Sequence, residues 1–525
     1  MHNVQIVLGL VAIGTVVAAF AQRLRVPAPS LLVLAGVAIG LIPGVPPVRV
    51  PPEVVSFVVL PPLLWQATDE LPWRDLRVVW RQVAILAVGL VLASAVAVAF
   101  VSVAVSAIPL SMGFVLGAVL ASTDPVAVSA LGRRLSLPSR IQALVQGESL
   151  FNDATSLVLF QIAVGVVVGG AAAGSAGGIL LHGVLAFIKL GGGGALVGAA
   201  VAVVVIAIRS RITDPVLESV VALITPYAAY LLGEGLGLSG VMAVIVAGLV
   251  VGTRRNRIST ARSRLQVRSV YQTLIFLLES VVFSLIGLEL PTLIRGLANP
   301  TRWPLAVLAV SAALLVTRIA WVFPLWAAVQ WRRGSRRPTW TVPAVVSWAG
   351  TRGVVPLAAT LSIPLTTVSG APVPQRDLVM VIAVVVIAVS LIVQGLTLEP
   401  LVRRTSVARP PATAREEEDR ARLRLAEAGI ARLDEIAAGQ DAPDAVIDRL
   451  RRTLDTRARH ARGRLDSDGS APQDAGTERD VRDEVIAAEN AELARLYAAG
   501  AISDEIRRQL QRTLDLEQTR FTDGH

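Results

Sequence analysis

Apolar runs of about twenty residues follow one another through most of this chain, and they limit its fold more than any other feature. A helix of ~20 apolar residues crosses the ~30 Å hydrocarbon core of a bilayer. Lipid offers no partners to backbone polar groups, so a spanning segment must satisfy its own, and runs of this length do so as helices. We read about thirteen spans, near 3–22, 29–44, 53–70, 81–107, 111–131, 140–168, 178–208, 214–233, 238–253, 270–290, 303–330, 340–364 and 378–402. The fold class expected is an all-α polytopic membrane protein with about 13 transmembrane helices.

The pattern stops near Arg404. Residues 405–525 hold 25 acids against 20 arginines, while the first 404 hold 14 acids against 29 Lys and Arg. The chain therefore divides into a membrane part, 1–404, and a charged helical tail, 405–525. The basic excess belongs to loops between spans, so nucleic acid is a poor partner for it. With the N-terminus outside, the inside loops hold 22 arginines and the outside loops hold Arg49, Arg295, Arg302 and Arg376. That asymmetry places the C-terminal part in the cytoplasm. The first apolar run, Val4 to Phe20, ends in Gln-Arg-Leu-Arg rather than a small-residue cleavage site, and reads as a retained span. Richness in Ala, Val, Gly and Arg suits a GC-rich bacterial genome, hence the bacterial cell membrane. The absence of Cys excludes disulfides and thiolate metal sites, and four His are too few for a cluster. In the tail, Ala421 to Ala437 has helical periodicity, 466–477 reads as a linker, 480–497 as helix again, and Ser503 as the N-cap of a last helix.

Three acids stand where lipid should forbid them. The stretch Ala121 to Phe160 carries Asp124, Glu148 and Asp153. An acid at the centre of a membrane helix costs roughly 2.5–3.5 kcal/mol on insertion scales, which makes each a functional-site candidate. Thr123-Asp124-Pro125 lies inside an apolar run, and the proline removes a donor and turns Asp124 away from helical geometry. A broken helix at membrane depth exposes partial charges at its two half-ends and carbonyls that coordinate cations. The same letters at 213–216 follow Arg209 and Arg211, where Thr213 or Asp214 caps a helix and Pro215 sits near its first position. In the next span, Gly147-Glu148-Ser149-Leu150-Phe151-Asn152-Asp153 puts Ser149 and Asp153 on one face with Asn152, and Glu148 about 100° round from Ser149. Asp153 is thus assigned to a cavity and Glu148 to an internal ion pair with Arg318, which stands in the apolar run 305–329. A second interruption is read at Gly350-Thr351-Arg352-Gly353-Val354-Val355-Pro356, with Arg352 balancing carbonyl ends or a carboxylate. Two interrupted spans, one in each half, point to inverted repeats with a site between them. Glu279 lines a pathway or pairs with an arginine; the sequence leaves both open. Glu218 and Glu234, near span ends, are expected to be solvated.

These motifs together resemble one family. Thr123-Asp124-Pro125, then GESLFND at 147–153, then Arg318, then Gly350-Thr351-Arg352-Gly353 with Pro356, resemble the bacterial sodium/proton antiporters of the monovalent cation/proton antiporter-1 family, related to animal sodium/proton exchangers. The resemblance covers roughly 1–404. It implies a transporter and not an enzyme, with no cofactor. It implies a homodimer, with dimerisation parts near 1–70 and 178–290, a moving transport core near 81–168 and 303–402, and two crossed broken helices. It implies that Asp153 binds cation and proton alternately, that Thr123, Asp124 and Ser149 help ligate Na⁺, and that Asn152 marks electroneutral exchange. One departure matters: the third span reads Leu60-Pro61-Pro62-Leu63-Leu64-Trp65-Gln66, with Gln66 where the family often has an acid. Gln66, and Glu279 on the first of its two readings, are the candidates for the access pathway. The function expected is exchange of cytoplasmic Na⁺, with Li⁺ as a further cargo, for external H⁺. A K⁺/H⁺ antiporter using the same residues is the alternative.

Overall fold

A computed structural model of the chain describes, isolated positions apart, residues 51–124, 137–169, 176–297, 302–332, 339–405, 411–439 and 443–466, together with parts of 9–43 and 488–495. Pro125, Arg133, Arg134, Thr213 and the expected helix after Ser503 lie outside the described residues. Contacts divide the chain into two units, Met1–Arg409 and Pro410–His525.

In the first unit the helices are α1 (Ala28–Gly40), α2 (Pro52–Asp69), α3 (Trp73–Ala84), α4 (Val91–Val105), α5 (Leu110–Ala121), α6 (Ser139–Gly169) and α7 (Ala176–Arg209). They continue as α8 (Pro215–Gly235), α9 (Gly240–Ile258), α10 (Ala261–Arg295), α11 (Trp303–Arg332), α12 (Thr341–Trp348), α13 (Val354–Leu361) and α14 (Arg376–Thr405). Among the described residues the only β pairing is one isolated bridge, Thr366 to Pro372. Seven helical stretches there are long and apolar enough to cross a membrane, and Ala28–Gly40, Leu110–Ala121 and Gly240–Arg254 are shorter apolar helices. Large apolar side chains such as Leu196, Val203, Leu308 and Val316 stand exposed on them. In water such a surface would drive association; in a bilayer it meets lipid.

Lipid supplies no hydrophobic drive between helices, so close packing has to come from small residues. α1 and α10 show this directly. A Cβ on Gly36 would lie 2.9 Å from the Gly287 Cα, and one on Gly287 would lie 2.9 Å from the Gly36 Cα. The span near 81–107 is longer than its apolar run: α3 is amphipathic and continues into α4 through a π-helical turn, Ile85–Leu90. Such turns are local widenings of a helix, and here Trp321 of α11 packs against Gly89 within it. α8 begins as expected: Asp214 Oδ1 accepts from the amides of Val216 (2.7 Å) and Leu217 (3.2 Å), with Pro215 in the first helical position.

The second unit contains α15 (Pro411–Ala438) and α16 (Asp444–Asp466), a helical hairpin. Arg451 pairs with Asp434, Arg462 with Glu427 at 2.8 Å and Arg464 with Asp419 at 2.8 Å across it. α15 starts ten residues before the periodic run at 421.

Candidate functional site

α5 ends at Ala121, and Ser122 to Asp124 continue as non-helical backbone. The second interruption runs from Ala349 to Gly353, between α12 and α13. The two breaks cross and bind each other. The Asp124 amide donates to the Thr351 carbonyl at 2.7 Å, and the Thr351 hydroxyl donates to the Asp124 carbonyl at 2.8 Å. The backbones come so close that a Cβ on Gly353 would fall on the Asp124 carboxylate. Glycine at 353 is therefore a condition of the crossing.

Each broken helix ends in carbonyls that no further turn can satisfy, and an arginine takes each set. Arg352, from the second break, donates through Nη1 to the carbonyls of Ala121 (3.1 Å) and Ser122 (2.6 Å), the end of α5. Arg318 of α11 donates to the carbonyls of Val346 (3.0 Å from Nη2) and Ser347 (3.1 Å from Nε), the end of α12. Arg352 therefore balances carbonyls; no carboxylate pairs with it among the described residues. Arg318 also donates through Nη1 to Glu148 Oε1 at 2.6 Å, and both side chains are buried. One arginine thus holds a helix end and a buried acid together, and its helix tethers α6 to α12.

α6 carries the remaining groups. Ser149 donates to the Thr123 carbonyl at 2.5 Å. Asn152 donates to Thr123 Oγ1 at 3.1 Å and to Glu148 Oε1 at 3.4 Å. Ser122 donates to Asp153 Oδ1, which leaves the other carboxylate oxygen for a proton or cation. A cavity of about 110 Å³ opens here. Thr123, Asp124, Ser149, Asp153, Gln66 and Glu279 all line it, with Leu63, Ala67, Gln146 and apolar residues of α13 completing the wall. Three carboxylates face this space, and among the described residues no basic side chain does. Asn152 is not in the wall; it braces Thr123. Glu148, Arg318 and Arg352 also lie behind it.

Two participants escaped the sequence reading. Ser122 is the direct partner of Asp153, and its only signal was a second hydroxyl beside Thr123. Glu218 overturns the expectation of a solvated span end. It is buried, lies 2.5 Å from Arg209 Nη2, and accepts from the Ser259 hydroxyl. The reason is local: α7 ends at Arg209 and α8 begins at Pro215, so the last residue of one helix falls beside the first turn of the next. Each charge also complements its own helix dipole. Glu234 is exposed, as expected, and accepts from Gln161.

A second cavity, of about 300 Å³, shares Gln66 and Gln146 with the first. Arg209, Arg264 and Arg268 line it, with Thr68, Tyr271 and Gln272, and among the described residues no acid does.

Interrupted helices meeting beside an acid-lined cavity, in an all-helical membrane protein, are the arrangement typical of ion-coupled secondary transporters. Comparison with known proteins narrows the class. Residues 9–404 match the family model for the sodium/hydrogen exchanger, transmembrane, and the chain belongs to that family, the bacterial cation/proton antiporter-1 branch of multi-pass transporters. It is 35% identical to an uncharacterized Na⁺/H⁺ exchanger of Mycobacterium tuberculosis, over 99% of this chain and 97% of that one. It is 28% identical to a sodium, potassium, lithium and rubidium/H⁺ antiporter of Bacillus pumilus, over 75% of this chain and 60% of that one. The fold matches the sodium proton antiporter MjNhaP1 of Methanocaldococcus jannaschii with a TM-score of 0.63 and 21% identity, over 77% of this chain and 99% of that one. Cation/proton exchange is the activity class this membership carries.

Proposed function

We propose that this protein exchanges cytoplasmic Na⁺ for external H⁺, one for one, with Asp153 binding either ion but never both. The observation that carries this reading is the small cavity at the helix crossing, where Asp153, Asp124 and Glu279 meet. A desolvated carboxylate holds its proton tightly, and a cation beside it displaces that proton. Ser122 fixes one oxygen of Asp153, so competition takes place at the other. Na⁺ in this cavity would draw on Asp153, Asp124, the hydroxyl oxygen of Ser149 and Thr123. Asn152 adds no titrating charge, so one charge crosses in each direction and turnover is electroneutral.

Alternating access requires the site to face each side in turn. The interruptions belong to one moving core, near 81–168 and 303–402, which slides as an elevator against a dimerisation part near 1–70 and 178–290. The spans number about thirteen, arranged as inverted repeats, with the N-terminus outside and the tail in the cytoplasm of a bacterial cell. Arg318 and Arg352 tie both broken helices into that core, so it can travel as a unit. An inward proton gradient then drives Na⁺ out, which serves pH and sodium homeostasis.

The test is Na⁺-induced dequenching of a pH dye in proteoliposomes. Asp153→Ala should abolish the signal, and Asp153→Asn likewise, since neither carries a proton or neutralises Na⁺. Exchange that survives in either variant defeats the assignment. A steady rate that changes with membrane voltage defeats electroneutrality. A K⁺/H⁺ antiporter is the second reading, favoured by the neutral Gln66 on the cavity wall and by the cation range in the name of the Bacillus pumilus relative. Comparing Li⁺, Na⁺ and K⁺ in the same assay separates them.

A further inference from the structure

The 300 Å³ cavity is lined by three arginines and is separated from the acid-lined one by Gln66 and Gln146. Its charges are unevenly satisfied. Arg209 is buried and spends Nη2 on Glu218 (2.5 Å) and Ser259 Oγ (2.8 Å), while its Nε is buried with no hydrogen-bond partner. Arg264 gives Nη1 to the Ser259 carbonyl at 2.6 Å. Arg268 makes no ion pair or hydrogen bond among the described residues. Glu218 balances one arginine, and among the described residues of the wall the other two have no acid against them. Tyr271 and Gln272 add further polar groups.

A buried N–H without a partner is costly, and its site commonly holds something that supplies one. Guanidinium forks match the oxygens of phosphate in charge and shape. The volume is at the lower end of small-molecule sites, enough for an inorganic phosphate or the phosphate end of a larger molecule. A cation moving from this cavity toward Asp153 would also meet repulsion from Arg264 and Arg268, which an oxyanion would cancel.

We propose that the arginine cavity binds a phosphate-type oxyanion, held by Arg268, Arg264 and the free Nε of Arg209, and that its occupancy eases cation passage toward Asp153. The second half rests on the antiport reading; the binding does not. The oxyanion could be free phosphate or a phospholipid headgroup, and the test separates them.

Full-length protein in a nonionic, phosphate-free detergent is titrated with inorganic phosphate at constant ionic strength by calorimetry. In parallel, native mass spectrometry records anionic phospholipid retained after delipidation. Saturable phosphate binding, weakened about tenfold by Arg268→Gln through loss of a charge-assisted contact, supports a free anion. Phospholipid retained by the wild type and lost from Arg268→Gln supports a headgroup. Arg268 is exposed, so this variant is expected to fold, and Arg264→Gln is the second probe. No saturable binding of either anion, or binding that both variants leave intact, overturns the site. In phosphatidylcholine vesicles, phosphate or added phosphatidylglycerol should lower the KM for Na⁺ severalfold in the wild type. An unchanged KM with intact binding overturns the effect on passage. A protein that binds the anion but exchanges no cation overturns the antiport reading and leaves the site standing.

Discussion

Gln66 and Gln146 face two cavities with opposite chemistry. Among the described lining residues, one side carries the acids Asp153, Asp124 and Glu279, and the other the arginines Arg209, Arg264 and Arg268. Each cavity is backed by a buried ion pair, Glu148–Arg318 behind the acids and Glu218–Arg209 beside the arginines. The pairs differ in what they hold. Glu148–Arg318 joins helices 170 residues apart and also closes the end of a broken helix. Glu218–Arg209 joins two consecutive helices across a short turn. A buried charge in this membrane protein thus serves to position backbone, as in the two pairs, or to face a cavity where it can meet an ion.

After removal of Asp153 itself, Arg318→Ala is the substitution expected to cost most. It leaves Glu148 buried without its ion-pair partner and exposes the carbonyls of Val346 and Ser347. Loss of one partner of a buried pair costs roughly 3–5 kcal/mol. Thermal unfolding in detergent should show the loss, and exchange should fail with it. Replacing both partners by apolar residues of similar volume should recover part of the stability but not exchange, because the end of α12 stays open. A single variant as stable as the wild type would mean that the pair holds nothing.

The two pairs were not equally legible in the sequence. Glu148 and Arg318 stand deep inside apolar runs, where an unpaired charge is so costly that each announces the need for a partner. The interruptions at Asp124 and at Gly350 to Gly353 were readable because proline and glycine cannot continue a helix unnoticed. Glu218 sent no such signal. It lies four residues from Asp214 at the start of a span, where water is the default, and only the turn between α7 and α8 brings Arg209 onto it. Ser122 was hidden differently. Nothing in Ser-Thr-Asp-Pro says which hydroxyl turns to Asp153, since that depends on the crossing with residues 180 positions or more beyond α6. The arginine cavity is assembled from six helices, and its Arg264 and Arg268 read in sequence only as loop charges.

A milder break is Glu218→Gln. Arg209 would lose its counter-charge but keep an amide oxygen as acceptor beside a polar cavity, so the expected cost is ~1–2 kcal/mol, that of trading a charge-assisted hydrogen bond for a neutral one. The functional effect should exceed that suggested by stability alone. The arginine cavity would gain a third unbalanced positive charge on the way to Asp153, so the KM for Na⁺ should rise severalfold with little change in maximal rate. A fall in maximal rate with KM unchanged would place Glu218 in the moving machinery instead of in the field of the cavity.

The smallest effect gives the sharpest discrimination. Inert salt screens charges over a Debye length of ~30 Å at 0.01 M and ~10 Å at 0.1 M. If cations pass the arginine cavity before reaching the acids, screening weakens a repulsion. Raising ionic strength with choline chloride, in vesicles free of phosphate and anionic lipid, should then lower the KM for Na⁺, by roughly twofold for exposed charges at such distances. An approach governed by Asp124 and Glu279 would give the opposite sign, because salt would screen an attraction. Arg268→Gln should flatten the dependence, since it removes the most exposed of the three charges. The sign of that slope therefore reports which of the two cavities a cation meets first.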